Sequence, residues 1–156
     1  MKCAIARTKL VILLAATLIV NLSAAAFAKD KDECSLARAA GKWSLTDQGT
    51  VIGIGPRVAV GVLKLDASGN LTDGVAASSL NGNVASETFS GTYTVNPDCS
   101  GTFDVKIYSG GTELFELTAF TAFDDDMREM RAVFTSVVAP DGTSLQSVIS
   151  LQAKKQ

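Results

Sequence analysis

Histidine is absent from this 156-residue chain. Its absence excludes His-dependent catalytic triads, histidine metal ligands and the usual general base near neutral pH. Acid-base chemistry is left to carboxylate, tyrosine and lysine side chains, and they form no recognisable catalytic or metal-ligand pattern in the sequence. The sequence therefore favours a non-enzymatic role, leaves an enzyme open, and predicts no cofactor and no metal.

Long hydrophobic runs are confined to the N-terminus. Three basic residues precede a run of apolar and small residues from Leu10 to Val20, and Ala26 and Ala28 stand at the two small positions that signal peptidase reads. We predict a signal peptide at 1–28 and an exported mature chain, periplasmic or extracellular, that keeps no membrane anchor. An uncleaved anchor is the alternative, because the segment could just cross a bilayer of about 30 Å.

The mature chain has no excess of basic residues. Residues 29–156 carry 11 basic and 16 acidic residues, since three of the 14 basic residues lie in the predicted signal peptide. A net charge of −5 is a poor match to nucleic acid, so we predict no nucleic-acid partner. The length is enough for one domain with a core, but too short for two.

Cysteine is scarce, and no CxxC motif or Cys/His cluster occurs. Cys3 leaves with the signal peptide, so the mature chain keeps Cys34 and Cys99. An even pair in an exported protein predicts a disulfide rather than two free buried thiols.

Turn-forming residues recur about every ten positions along the mature chain, between short segments that alternate apolar and polar residues. This rhythm predicts about eight antiparallel strands in an up-and-down barrel, favoured over a β-sandwich, with one short helix at Asp32–Ala40. Gly61 and Gly91 suit the bends of a small barrel. The predicted strands are Lys42–Thr46, Val58–Asp66, Leu71–Leu80, Val84–Val95, Thr102–Tyr108, Glu113–Phe123, Arg128–Val138 and Leu145–Gln152.

Gly41-Lys42-Trp43 follows the predicted helix and opens the first strand. It resembles the Gly-x-Trp motif of lipocalins and other calycins. The resemblance implies an eight-stranded ligand-binding barrel whose closed end is plugged by Trp43.

A second resemblance covers more of the chain. The segments 43–49, 61–66, 68–71 and 91–102 resemble a group of small exported bacterial proteins of unassigned function. That group is related in architecture to the allene oxide cyclase and dirigent barrels. The resemblance implies a barrel, but it supplies no cyclase pocket residues to carry over.

Four residues are candidates for contact with a ligand. We interpret 47–57 as a long loop over the barrel mouth, in which Arg57 anchors an anionic ligand head; an ordinary long hairpin loop is the alternative. Tyr93 and Tyr108 are candidates to line the interior. Glu116 is expected on the surface, and would be the best acid-base candidate if it pointed inward. Asp124, Asp125 and Asp126 are interpreted as a solvated hairpin tip rather than a calcium loop.

Three functions remain open at this point. The first is a binding protein that holds a small apolar or amphipathic molecule in the barrel. The second is an isomerase or cyclase of the allene oxide cyclase kind. The third is a structural or interaction domain with a filled barrel, because eight strands enclose an interior that side chains alone can fill.

Overall fold

Eight antiparallel strands close into one barrel in the computed structural model, which describes residues 33–156. Each strand pairs with its neighbours along the chain, and the last pairs with the first, so none of the eight has an open edge. This confirms the predicted all-β up-and-down barrel and excludes the sandwich. The strands are β1 Gly41–Val51, β2 Gly55–Leu65, β3 Asn70–Leu80, β4 Asn83–Tyr93, β5 Ser100–Ser109, β6 Thr112–Phe123, β7 Glu129–Val138 and β8 Ser147–Lys155.

The period-two pattern of the sequence becomes the two faces of the barrel wall. In β5, Phe103, Val105 and Ile107 are buried, whereas Asp104 and Lys106 between them are exposed. Successive side chains of a strand point to opposite faces, so this alternation separates a barrel interior from its outer surface. The signal peptide predicted at 1–28 lies outside the described residues and stays a prediction.

One short helix, α1 at Leu36–Ala39, precedes the barrel in the described part of the chain. The Ser35 side chain caps it by accepting a hydrogen bond from the Arg38 amide at 3.4 Å. Four residues cannot form a stable helix alone, so α1 depends on its contacts with the barrel. Within the described residues it is shorter than the predicted Asp32–Ala40, because Ser35 (φ −154°, ψ 159°) and Ala40 (φ −55°, ψ 136°) both have a non-helical backbone.

Side chains from the barrel and from α1 close one end of the barrel, which we call the helix end. Trp43 is fully buried there, and its indole Nε1 donates to the carbonyl oxygen of Ala39 at 2.9 Å. Its ring meets Phe123 edge-on, with centroids 6.1 Å apart. The disulfide between Cys34 and Cys99 holds the N-terminal segment to the β4–β5 turn, as the sequence predicted.

The segment 47–57 is not the predicted long loop. β1 continues to Val51 and β2 begins at Gly55, so the connection shrinks to a tight turn in which Gly53 has a φ of 82°. The prediction failed because Asp47 and Arg57 occupy inward positions. Polar residues at buried positions break the apolar alternation by which strands are recognised.

The glycines predicted to suit bends lie where neighbouring strands approach closely. A Cβ added to Gly91 would overlap the backbone of Asp104, and one added to Gly61 would overlap that of Val75. Close backbone approach is a common reason for glycine inside a strand. Among residues 33–156, no helix has the length and apolar character needed to cross a bilayer.

Removing the disulfide should weaken the fold measurably. We expect the double variant Cys34→Ser/Cys99→Ser to lose about 2–4 kcal/mol of unfolding free energy, because the bridge spans 65 residues. Denaturant unfolding of the mature protein measures this loss. Reduced wild-type protein is the matched control and should behave like the variant; equal stability with and without reductant would contradict the prediction.

Candidate functional site

A cavity of about 60 Å³ lies inside the barrel; we call it the central cavity. Its walls are almost entirely apolar, and every strand contributes to them. The lining residues are Leu45, Asp47, Arg57, Leu63, Leu71, Ala76, Glu87, Phe89, Phe103, Val105, Ile107, Leu117, Ala119, Met130, Ala132, Phe134 and Leu151. Of these, only Asp47, Arg57 and Glu87 carry charge.

Strand register brings the three charged side chains together. Asp47 is on β1, Arg57 on β2 and Glu87 on β4, each at an inward position, with Ser78 on the intervening β3. All four are buried, at 4–5% of their full exposure. We call these four residues the buried charge cluster. It lies toward the end of the barrel opposite the helix end, close to the β1–β2 and β3–β4 turns.

Arg57 and Glu87 form a bidentate ion pair. The guanidinium Nη1 donates to Oε1 at 2.9 Å, and Nη2 donates to Oε2 at 2.8 Å. The Ser78 hydroxyl donates to Oε1 at 2.7 Å. Burial by itself raises the pKa of Glu87, but the hydrogen bonds from Arg57 and Ser78 outweigh it, so the net pKa is lowered.

Asp47 makes longer and less well aligned contacts with the same guanidinium than Glu87 does. Its Oδ1 lies 3.2 Å from Arg57 Nε, and its Oδ2 accepts a long 3.4 Å bond from Nη2. The Oδ1–Nε contact lacks hydrogen-bond geometry, and neither atom has another partner among residues 33–156. Burial raises the pKa of Asp47, and attraction to Arg57 offsets only part of that rise. Two carboxylates therefore share one cation unequally.

An aromatic ring completes the surroundings of the guanidinium. Its central carbon lies 5.5 Å from the centroid of the Phe115 ring, on β6. This is within cation–π range, and burial strengthens such a contact. Burial alone would lower the pKa of Arg57. The hydrogen bond to Glu87 and the two carboxylate charges raise this pKa by more than burial lowers it, so Arg57 stays charged.

Of the four residues predicted to contact a ligand, only Arg57 lines the central cavity. It does so from inside a strand, between two carboxylates, so it offers no free cation to an anionic ligand head. Tyr93 is buried at the helix end, where its hydroxyl donates to the Asp66 carbonyl oxygen at 2.7 Å and lies 3.2 Å from that of Leu36. Burial raises the pKa of Tyr93 to about 12.

The other two predicted residues belong to the outer face. Tyr108 is half-buried and pairs across the sheet with exposed Thr88, outside the cavity lining. Glu116 is exposed, and its carboxylate lies 3.7 Å from the Lys106 ammonium. Glu116 therefore takes the surface position that the sequence favoured and is not a group of the interior. Asp124, Asp125 and Asp126 are also exposed, at the β6–β7 turn.

Sequence reasoning missed Asp47, Ser78 and Glu87. A signal for Glu87 was present, because the inward alternation of Tyr93, Gly91 and Phe89 extends back to it along β4. No comparable signal connects Asp47 or Ser78 to it, since their meeting depends on the register of four strands.

The sequence matches no protein-family model, and no curated protein matches it significantly. Among solved structures, the chain is similar to EF1p2_mFAP2b, solved bound to DFHBI, with a TM-score of 0.50 and 16% identity over 78% of this chain and 100% of that chain. It is also similar to mFAP0, a redesigned beta barrel bound to DFHBI, with a TM-score of 0.48 and 16% identity over 76% and 99% of the two chains. At this identity the likeness supports the barrel fold alone.

The unequal sharing of Arg57 predicts opposite effects of two substitutions. Arg57→Met leaves two buried carboxylates without a cation, so we expect it to lower the unfolding free energy by about 3–5 kcal/mol. Asp47→Asn keeps the shape and leaves one carboxylate for one guanidinium. We expect it to be at least as stable as wild type at pH 7, measured by denaturant unfolding.

The stability difference between Asp47→Asn and wild type should depend on pH, in a direction set by the raised pKa of Asp47. A carboxyl whose pKa is raised in the folded state adds stability below its unfolded pKa, and this is lost as the pH rises through the folded pKa. The advantage of Asp47→Asn should therefore be largest at neutral pH and shrink as the pH falls through the pKa of Asp47. An Asp47→Asn protein as unstable as Arg57→Met would show that Asp47 is a fully matched partner.

Proposed function

We propose that the mature chain is an exported barrel protein that binds a small, largely apolar molecule in the central cavity. The observation that carries the proposal is a buried charge cluster on the wall of an otherwise apolar cavity. A buried ion pair is often no more stabilising than well-packed apolar residues of similar volume, so stability alone gives little reason for these charges. Binding sites commonly combine apolar walls with a few convergent polar groups.

The size of the cavity limits the ligand. A cavity of about 150 Å³ accommodates benzene, whereas the central cavity measures about 60 Å³. A molecule of a few non-hydrogen atoms fits without rearrangement, and a ring requires a lining side chain to move. Met130 is the lining residue best suited to move, because methionine is unbranched and flexible.

Two further observations support parts of this proposal. EF1p2_mFAP2b, which shares the fold, was solved bound to DFHBI, so a barrel of this kind is compatible with small-molecule binding. The Cys34–Cys99 disulfide suits an oxidising compartment and so supports export to the periplasm or the extracellular space.

Filling the cavity should abolish binding. Ala76 lines the cavity, whereas its neighbour Ala77 is exposed on the outer face of the same strand. We expect xenon and benzene to shift the amide NMR signals around the cavity in wild type and in Ala77→Leu, but not in Ala76→Leu. Circular dichroism confirms that each variant keeps its strands.

Protein purified from the exported fraction of its own host gives a complementary test. Native mass spectrometry should show a mature chain beginning at Lys29 and carrying a bound small molecule. A molecule that the protein converts on incubation would favour the isomerase alternative. No bound molecule, together with no response of wild type to xenon or benzene, would contradict the proposal in favour of a structural barrel.

A further inference from the structure

We propose that the molecule bound in the central cavity carries a protonated amine, and that this ammonium group pairs with Asp47. The inference rests on the proposed function and specifies the chemistry of its ligand. Three properties of the site support it: its charge balance, its unmatched acceptor atom and the character of its other walls.

The charge balance of the cavity is negative. With both carboxyl groups ionised, Asp47 and Glu87 contribute two negative charges and Arg57 one positive charge, and no other lining residue is titratable. The three side chains are only 3–6% exposed, so water does little to compensate the excess. A bound cation would bring this buried site to neutrality, whereas an anion would double its charge.

The excess negative charge is located at Asp47. Glu87 receives two hydrogen bonds from Arg57 and one from Ser78, so its donors are already in place. Asp47 Oδ1 lies 3.2 Å from Arg57 Nε but accepts no hydrogen bond from it or from the other described residues, although the Asp47 side chain is 94% buried and lines the cavity. A buried acceptor without a donor is costly, and an N–H group of a ligand would satisfy it.

An ammonium group supplies both a positive charge to balance the site and a hydrogen-bond donor for Asp47 Oδ1. A neutral hydroxyl can donate to Oδ1 and accept from Arg57 Nε, which also lacks a hydrogen-bond partner, but it leaves the charge. A carboxylate can accept from Nε, but it offers no donor and adds a second negative charge. A hydrogen bond to an ionised carboxylate is roughly twice as strong as a neutral one for either donor. The ammonium group adds the opposite charge that a hydroxyl lacks. The remaining walls are apolar, so the rest of the molecule is a short hydrocarbon, and small alkylamines are the simplest members of this class.

The test uses three probes of nearly equal size: ethylamine, ethanol and acetate, titrated into the mature protein at pH 7 and matched ionic strength. Amide NMR shifts report binding at the cavity. We expect ethylamine to bind wild type at least about tenfold more tightly than ethanol, and acetate not to bind. In Asp47→Asn, ethylamine should fall to the affinity of ethanol, while ethanol binding is retained.

Glu116→Gln is the matched control, because it removes an exposed carboxylate from the outer face and should leave all three affinities unchanged. Equal binding of ethylamine and ethanol, or preferred binding of acetate, would overturn the inference and leave the proposed function standing. Failure of all three probes, with no response to xenon or benzene, would overturn both. The wild-type ranking alone decides the preferred charge, even if Asp47→Asn does not fold.

Discussion

The ion pair between Arg57 and Glu87 sets the electrostatics of the barrel interior. Closing eight strands shields the inward side chains from bulk water, so buried charged groups need partners close by. The planar guanidinium matches the Glu87 carboxylate at both oxygens, and Ser78 adds a third donor. Because the guanidinium is aligned with Glu87, its contact with Asp47 Oδ1 lacks hydrogen-bond geometry. The properties of the site, including its net charge and its proposed ligand, follow from that unequal division.

The two ends of the barrel differ in the interactions that they contain. At the helix end, Trp43 and the disulfide between Cys34 and Cys99 fasten the N-terminal segment to the sheet. The Tyr93 hydroxyl adds hydrogen bonds to backbone carbonyls. These interactions are apolar or neutral, so they hold the end closed without introducing charge. The polar residues that face the cavity lie toward the opposite end, where tight turns and the longer connection at 139–146 join the strands.

The fold could be predicted from the sequence because its signals are local. Alternation along β5 and regular turn residues define strands without knowledge of their partners. The candidate site could not be predicted in the same way. Asp47 and Arg57 interrupt the apolar alternation, so the local pattern predicts a loop for their segment. Their meeting with Glu87 depends on the register of separate strands, which no local pattern specifies.

Asp47 and Glu87 share the Arg57 cation unequally, and an NMR titration of their side-chain carboxyl carbons tests this directly. Unequal sharing predicts that the pKa of Asp47 lies above its ordinary value of 3.8 and that the pKa of Glu87 lies below its ordinary value of 4.5. The two pKa values therefore shift in opposite directions, each toward the ordinary value of the other carboxyl group. A pKa of Asp47 at or below 3.8, or a pKa of Glu87 at or above 4.5, would contradict unequal sharing.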